Sequence, residues 1–216
     1  MTEKIDVLVV GAGISGIGAG YHLQSKCPDA NFIILEGRDK IGGTWDLFKY
    51  PGIRSDSDMY TLGYNFKPWK EQEAIADAPS ILKYLNETVE EFNLKDKIRF
   101  GKYVKKANWS SSSNSWTVDV EDKSTGDLSQ ISCSFIFMCS GYYSYKEGYT
   151  PEFEGIEDFA GDIIHPQKWD ENFDYSGKKI VVVGSGATAV TIVPEMAKKA
   201  EHVTMLQRSP TYVVAA

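Results

Sequence analysis

The sequence predicts an α/β fold made of two Rossmann-like dinucleotide-binding units, the second incomplete. Three observations carry this. A β-branched apolar run, Ile5 to Val10, leads straight into Gly11, Gly13 and Gly16 in the spacing G-x-G-x-x-G. A second apolar run, Phe32 to Leu35, follows a helical segment and ends at Glu36, 20 residues beyond Gly16. The same order of parts starts again at Lys178, with Gly184 lying 173 residues after Gly11.

Each part of the first unit has a mechanical reason. A near-continuous apolar run suits a strand buried on both faces of a parallel sheet. The first glycine permits the tight strand-to-helix turn, the second lets a diphosphate approach the backbone, and the third lets helix and strand pack closely. Ser15 lies in the helix's first turn, where N–H groups and the positive dipole end face an anion. The helix is expected over Ile14 to Lys26, stopped by Pro28. A carboxylate at Glu36 can accept hydrogen bonds from both hydroxyls of an adenosine ribose. The competing reading is a purely structural turn.

From Gly42 to Asp58 the glycine, proline and aspartate content predicts a loop, dense in aromatic residues. Those rings either wall a flat ring system or simply pack beneath the loop. Asp77, Ala78 and Pro79 mark a helix start, with Ile81, Leu82, Leu85, Val89 and Phe92 as one apolar stripe. Ile98 to Trp109 and Trp116 to Val120 read as a hairpin around a Ser/Asn turn. Phe135 to Cys139 reads as a buried strand ending at Ser140-Gly141. The boundaries expected are 1–141 for the first domain, 142–177 for a linker and 178–216 for the start of the second.

In the second unit, strand Ile180 to Val183 runs into Gly184-Ser185-Gly186-Ala187-Thr188-Ala189, a helix to Lys199 and a strand Val203 to Gln207. Alanine takes the third glycine's place, a substitution the fingerprint allows. This copy ends in Gln207-Arg208-Ser209, with no acid and with a guanidinium. A carboxylate repels a 2′-phosphate, whereas arginine holds one through charge-assisted bonds. The first site therefore suits the unphosphorylated ribose of FAD and the second suits NADP(H). Two nucleotides, one of them a hydride carrier, imply electron transfer.

Composition narrows the classes. A chain of 216 residues with net charge −7 and no basic cluster argues against nucleic-acid binding. No run approaches the ~18 apolar residues of a transmembrane segment. Cys27, Cys133 and Cys139 form no C-x-x-C and look like reduced core cysteines of a cytoplasmic protein. Nothing in the sequence marks a metal site.

Phe159 to Asp170 fits F-x-G-x-x-x-H-x-x-x-W-[P/D] at every fixed position: Phe159, Gly161, His165, Trp169 and Asp170. With two glycine fingerprints around it, this segment resembles the signature of flavin-dependent Baeyer-Villiger monooxygenases. Gly42 to Tyr64, Phe137 to Tyr149 and Val203 to Val213 are similar to the ethionamide-activating branch, and the likeness covers the whole chain. The resemblance implies bound FAD, reduction by NADPH, capture of O₂ as a C4a-peroxyflavin, and oxygen insertion beside a ketone carbonyl or onto sulfur.

Roles follow by position. Gly11, Gly13, Ser15 and Gly16 are implied to hold the FAD diphosphate and Glu36 its ribose, with Thr44, Trp45 and Val104 as further cofactor contacts. Asp56 matches an aspartate that steadies a catalytic arginine; a loop cap is the alternative. Gly184, Ser185, Gly186, Ala187 and Thr188 are implied to hold the NADP diphosphate, with Arg208 and Ser209 at its 2′-phosphate. His165 and Trp169 are implied to act in the linker, through conformation or, for the histidine, proton transfer.

Neither Arg38 nor Arg54 matches the family's catalytic arginine. A two-stranded parallel sheet cannot bury both faces, so a fragment is expected, inactive on ketones alone and prone to self-association through exposed edges. Two other functions compete. Disulfide reduction needs a dithiol after Gly42-Gly43-Thr44, where Trp45 stands instead. A non-catalytic nucleotide-binding module that needs a complementary chain remains open.

Overall fold

The computed structural model describes residues 2–213. They fall into two compact units. One comprises the chain up to Asp46 together with Pro79–Tyr142, and the other comprises Leu47–Ala78 and the chain from Tyr143 onward.

The first unit holds a six-stranded sheet in the order β3-β2-β1-β6-β5-β4. Its strands are β1 (Glu3–Val10), β2 (Phe32–Leu35), β3 (Ile98–Arg99), β4 (Lys102–Ser110), β5 (Ser115–Asp122) and β6 (Leu128–Met138). β2, β1, β3 and β6 run parallel, and β5 and β4 extend the sheet antiparallel beyond β6. The crossover between β1 and β2 is helix α1 (Ile14–Lys26), within the limits expected from sequence. It lies close against the sheet because its inner face is small: a Cβ on Gly20 would sit 2.9 Å from Ile34 Cδ1. Leu8, Ile17, Ile34 and Leu35 are buried almost completely. Each such side chain contributes about 1.5–3 kcal/mol of burial free energy.

Several elements differ from expectation. The predicted strand from Ile98 breaks at Phe100-Gly101, where Gly101 has φ +65, and its first two residues pair with β2 instead. The β4–β5 hairpin closes through residues 111–114, with Asn114 in the left-handed region at φ 47. β6 starts far earlier than Phe135, since its polar first half pairs with both β1 and β5. Nor is its end buried, with Phe135 and Phe137 52% and 41% exposed among the described residues. The expected loop after Gly42 contains a helical turn, α2 (Thr44–Leu47), and is followed by α3 (Met59–Leu62), capped by Asp58 accepting from Thr61 N. Helix α4 (Ala78–Glu91) turns the predicted stripe inward, with Ile81 and Leu85 fully buried.

The second unit contains a parallel pair, β7 (Lys179–Val183) and β8 (His202–Leu206), joined by α5 (Ala187–Met196). The helix ends before the expected Lys199. Its core consists of Phe48, Tyr50, Ile192 and Met196, with Ile53, Trp169, Tyr175, Ile180 and Val203 packed against them. This is why Leu47–Ala78, grouped by sequence with the first domain, clusters with the second unit: its aromatic residues cover α5. On β7 and β8, Val181, Val183 and Leu206 remain exposed.

Candidate dinucleotide sites

In the first unit the glycine turn is fixed by the sheet. Gly11 N donates to Leu35 O at 2.7 Å, which brings the end of β2 beside the start of the turn. Gly11 has φ +103, and a Cβ on it would lie 2.5 Å from Cys139 O. For Gly16 the added atom would lie 1.8 Å from Gly11 O, so the helix could not approach the strand. These two glycines are demanded by the fold itself.

Gly13 differs. It has ordinary extended backbone, at φ −79, and a Cβ there would meet nothing nearer than Gly43 Cα at 3.7 Å. Gly13 is the N-cap of α1, makes no side-chain cap bond, and the first turn carries no acidic residue. The protein therefore gives no packing reason for glycine at this place. A group approaching the backbone closely from outside would supply one, and the helix end could hold an anion.

Glu36 is buried, 4% exposed, and its carboxylate faces this turn. Oε2 accepts from Ala12 N at 2.8 Å and Oε1 from Arg38 N at 2.9 Å. Each oxygen keeps a further lone-pair direction for a ribose hydroxyl. Ala12 is shared, because its carbonyl accepts from Gly42 N at 3.0 Å and so seats the Gly42-Gly43 turn on the glycine loop. Gly42 and Gly43 both have positive φ, 107 and 54. Ser15 is exposed in the first turn of α1, and Thr44 and Trp45, both half-buried, open α2. Val104 lies in β4 and packs against the core of the unit.

The second turn repeats this design with one change. Gly184 N donates to Leu206 O at 2.9 Å, matching the Gly11–Leu35 bond, and Val183 pairs with Leu206 as Val10 pairs with Leu35. By this register Gln207 occupies the place of Glu36, and Arg208 follows it. A neutral amide thus replaces the acid, and the exposed guanidinium stands one residue on. Gly184 has φ +123, whereas Gly186 has φ −76 and an added Cβ there would meet nothing within 4 Å. Gly186 is therefore open in the same way as Gly13. Thr211 Oγ1 and Ser185 Oγ hydrogen-bond at 2.8 Å, drawing the chain after Arg208 and Ser209 back to the turn. Ala187 is exposed, and the Thr188 hydroxyl hydrogen-bonds the Tyr50 phenol. Burial pushes that phenol above its usual range, the Thr188 bond opposes the rise and the charge of Asp56 adds to it.

The remaining predicted residues also lie in the second unit. Asp56 is exposed, and the local cap is Asp58, not Asp56. His165 caps a turn, its Nδ1 accepting from Gln167 N at 3.1 Å, which places the proton of the neutral ring on Nε2. The imidazole rests on Gly148, where a Cβ would be 2.0 Å from Cε1. Trp169 packs into the α5 core and meets Phe173 and Tyr175 edge-on, with centroids 5.9 and 6.1 Å away. In the signature, the Phe159 ring covers Gly161, where an added Cβ would lie 2.7 Å from the ring.

The cysteines correct one expectation. Cys27 is exposed at the end of α1, so it is no core residue; Cys133 is buried and Cys139 half-buried, and all three are free. Burial raises the Cys139 thiol above its usual range, which does not favour the thiolate a redox dithiol needs. Among the described residues no cluster of His, Cys, Asp and Glu could hold a metal, and no helix is long and apolar enough to cross a membrane. Sequence reasoning missed Arg38 with Asp46, and Tyr50 with Thr188. Opposite charges flanking Gly42-Gly43 were the only signal for the first pair.

Two glycine turns, each pairing a positive-φ glycine at the strand end with a sterically open glycine two residues on, define an α/β protein of the dinucleotide-binding class. A family model described as flavin-binding monooxygenase-like matches residues 4–216. The chain belongs to this family. It is 58% identical over its whole length to FAD-containing monooxygenase EthA of Mycobacterium tuberculosis (strain ATCC 25618 / H37Rv), covering 44% of that protein. It is 54% identical to probable FAD-binding monooxygenase AlmA of Acinetobacter sp, with 99% of this chain and 43% of the relative covered. Among solved structures, an oxidised steroid monooxygenase bound to NADP superposes with TM-score 0.82 at 32% identity, over 98% of this chain and 40% of that one. An open form of cyclohexanone monooxygenase gives TM-score 0.84 at 28% identity, over 99% and 41%. The chain thus spans less than half the length of the relatives it matches.

Proposed function

We propose that the chain supplies the two dinucleotide sites of an FAD- and NADPH-dependent monooxygenase that inserts one oxygen atom from O₂ beside the carbonyl of a ketone, between the carbonyl carbon and its neighbour, or adds it to sulfur. The observation that carries this is the contrast between the two turns: an acid, Glu36, closes the first, and Gln207-Arg208 closes the second at the equivalent register. Gly11, Gly13, Ser15 and Gly16 hold the FAD diphosphate through backbone N–H groups at the start of α1, and Glu36 accepts from the ribose. Thr44, Trp45 and Val104 complete that site. Gly184, Ser185, Gly186, Ala187 and Thr188 hold the NADPH diphosphate, while Arg208 and Ser209 bind its 2′-phosphate. Bound flavin, reduced by NADPH, supplies the activation of O₂.

Other side chains position rather than react. Asp56 offers a carboxylate that orients a cation at the reaction centre. His165 and Trp169 tie the linker to its own unit, through the Gln167 cap and the α5 core, so that linker and second dinucleotide site move together. The three free cysteines support a reducing, cytoplasmic setting. Exposed Val181, Val183 and Leu206 support self-association or pairing with a complementary polypeptide.

The test is the visible spectrum of the purified protein before and after anaerobic NADPH. Flavin colour that bleaches supports the proposal; protein that takes up no FAD from excess sinks it.

A further inference from the structure

The segment Gly42–Asp46 borders the first glycine turn; it opens with two consecutive residues at positive φ and continues into the turn of α2, where Trp45 N and Asp46 N donate to the carbonyls of Gly42 and Gly43. It is held at two ends. At one, Gly42 N donates to Ala12 O at 3.0 Å. At the other stands Arg38, just beyond β2. Its guanidinium donates to Asp46 Oδ2 at 2.5 Å, and to the carbonyls of Asp46 and Gly43 at 3.4 Å each. The Arg38 backbone N–H meanwhile donates to Glu36. The Asp46 side chain is 9% exposed and that of Arg38 25%, so the pair is partly withdrawn from water, where its attraction is screened less than on the surface.

Chemically, an arginine two residues beyond the β2 acid is the kind of group that would ligate a phosphate. Here three of its acceptors are protein atoms on one short loop. We propose that Arg38 and Asp46 are a positioning pair for the first dinucleotide site, fixing the Gly42–Asp46 loop against the glycine turn while the guanidinium contributes no bond to the ligand. Glu36, Arg38 and the loop then form one connected frame, in which the acid is oriented by the amides of Ala12 and Arg38 and the loop by the same two residues. This rests on the reading of that turn as an FAD site.

A double-mutant cycle on the full chain separates positioning from direct ligation. The variants are Arg38→Ala, Asp46→Asn and the double variant, with Arg38→Lys as the mildest change. The readouts are FAD affinity by flavin fluorescence and, as a control, NADP⁺ affinity at the second site. Positioning predicts FAD binding weakened about tenfold by either single change and no further by the double, with Arg38→Lys between wild type and Arg38→Ala. NADP⁺ affinity should stay within twofold, which general destabilisation would not allow. If Arg38 were a ligand, Asp46→Asn would free its guanidinium and leave FAD binding unchanged or tighter. That result overturns the inference, as does full additivity or a parallel loss of NADP⁺. Wild-type protein that binds NADP⁺ but no FAD would remove the cofactor reading instead, and the inference with it.

Discussion

Replacing Gly13 and Gly16 by alanine, one at a time, separates a glycine kept for a ligand from one kept for the fold. At Gly16 the new methyl would sit 1.8 Å from Gly11 O, far inside any real contact distance, and the obstacle is backbone. Helix α1 must shift away from β1, at an overpacking cost of about 1–3 kcal/mol or more. For a chain of this size that lowers Tm by about 2–4 °C per kcal/mol. At Gly13 the methyl meets Gly43 Cα at 3.7 Å and the backbone φ of −79 suits any residue. Alanine is a poorer N-cap than glycine, but it restricts the unfolded chain by about 0.4–1 kcal/mol, so stability should hold within about 1 kcal/mol. Binding should respond in the opposite order of specificity. A methyl at Gly13 keeps a diphosphate from the helix N–H groups, and losing one or two charge-assisted bonds of about 1.5–3 kcal/mol each weakens FAD by roughly 100-fold. Thermal melts of the cofactor-free proteins and fluorescence titration with FAD give both numbers. Gly13→Ala with wild-type FAD affinity, or with a melt as depressed as that of Gly16→Ala, would refute the reasoning.

Three further outcomes follow from named contacts. If the Arg208 guanidinium serves only the 2′-phosphate, as proposed, Arg208→Ala should weaken NADP⁺ about tenfold while leaving NAD⁺ unchanged, measured by equilibrium titration; equal losses for both would assign it elsewhere. Gly148→Ala should drive the His165 ring off its seat and break the Nδ1–Gln167 cap, read as faster limited proteolysis of the linker; an unchanged digestion rate would show that the linker does not depend on this contact. Burial holds the Tyr50 phenol above its ordinary value, so the folded state keeps its proton longer than the unfolded chain. Stability is then level below the ordinary phenol range and falls as pH rises through it and beyond, a slope that Tyr50→Phe should reduce in alkaline melts.

The parts legible in the sequence were those fixed by local chemistry. Glycine spacing and Pro28 delimit α1, and an unbroken apolar run marks β2; neither needs knowledge of a distant partner. β6 was half hidden because Leu128–Ser134 alternates weakly and is a strand only through β1 and β5, both remote in sequence. Phe135 and Phe137 looked buried because hydrophobicity does not say what covers it. At the sites, both glycine turns and Glu36 were evident, but the equivalence of Gln207 with Glu36 needed strand register. The Arg38–Asp46 pair needed the fold of a loop whose glycines leave its path open. For His165, the sequence left a structural and a proton-transfer role side by side; the fold commits Nδ1 to a backbone cap and leaves Nε2–H outside it.

The account stands on two unlike sites in one chain, and titration with FAD and NADP⁺, singly and together, measures that most directly. One equivalent of each should bind, neither displacing the other, with NADP⁺ preferred over NAD⁺ at its own site. Competition between the two for a single site, or NADP⁺ binding that survives loss of both Gly186 and Arg208, would contradict it.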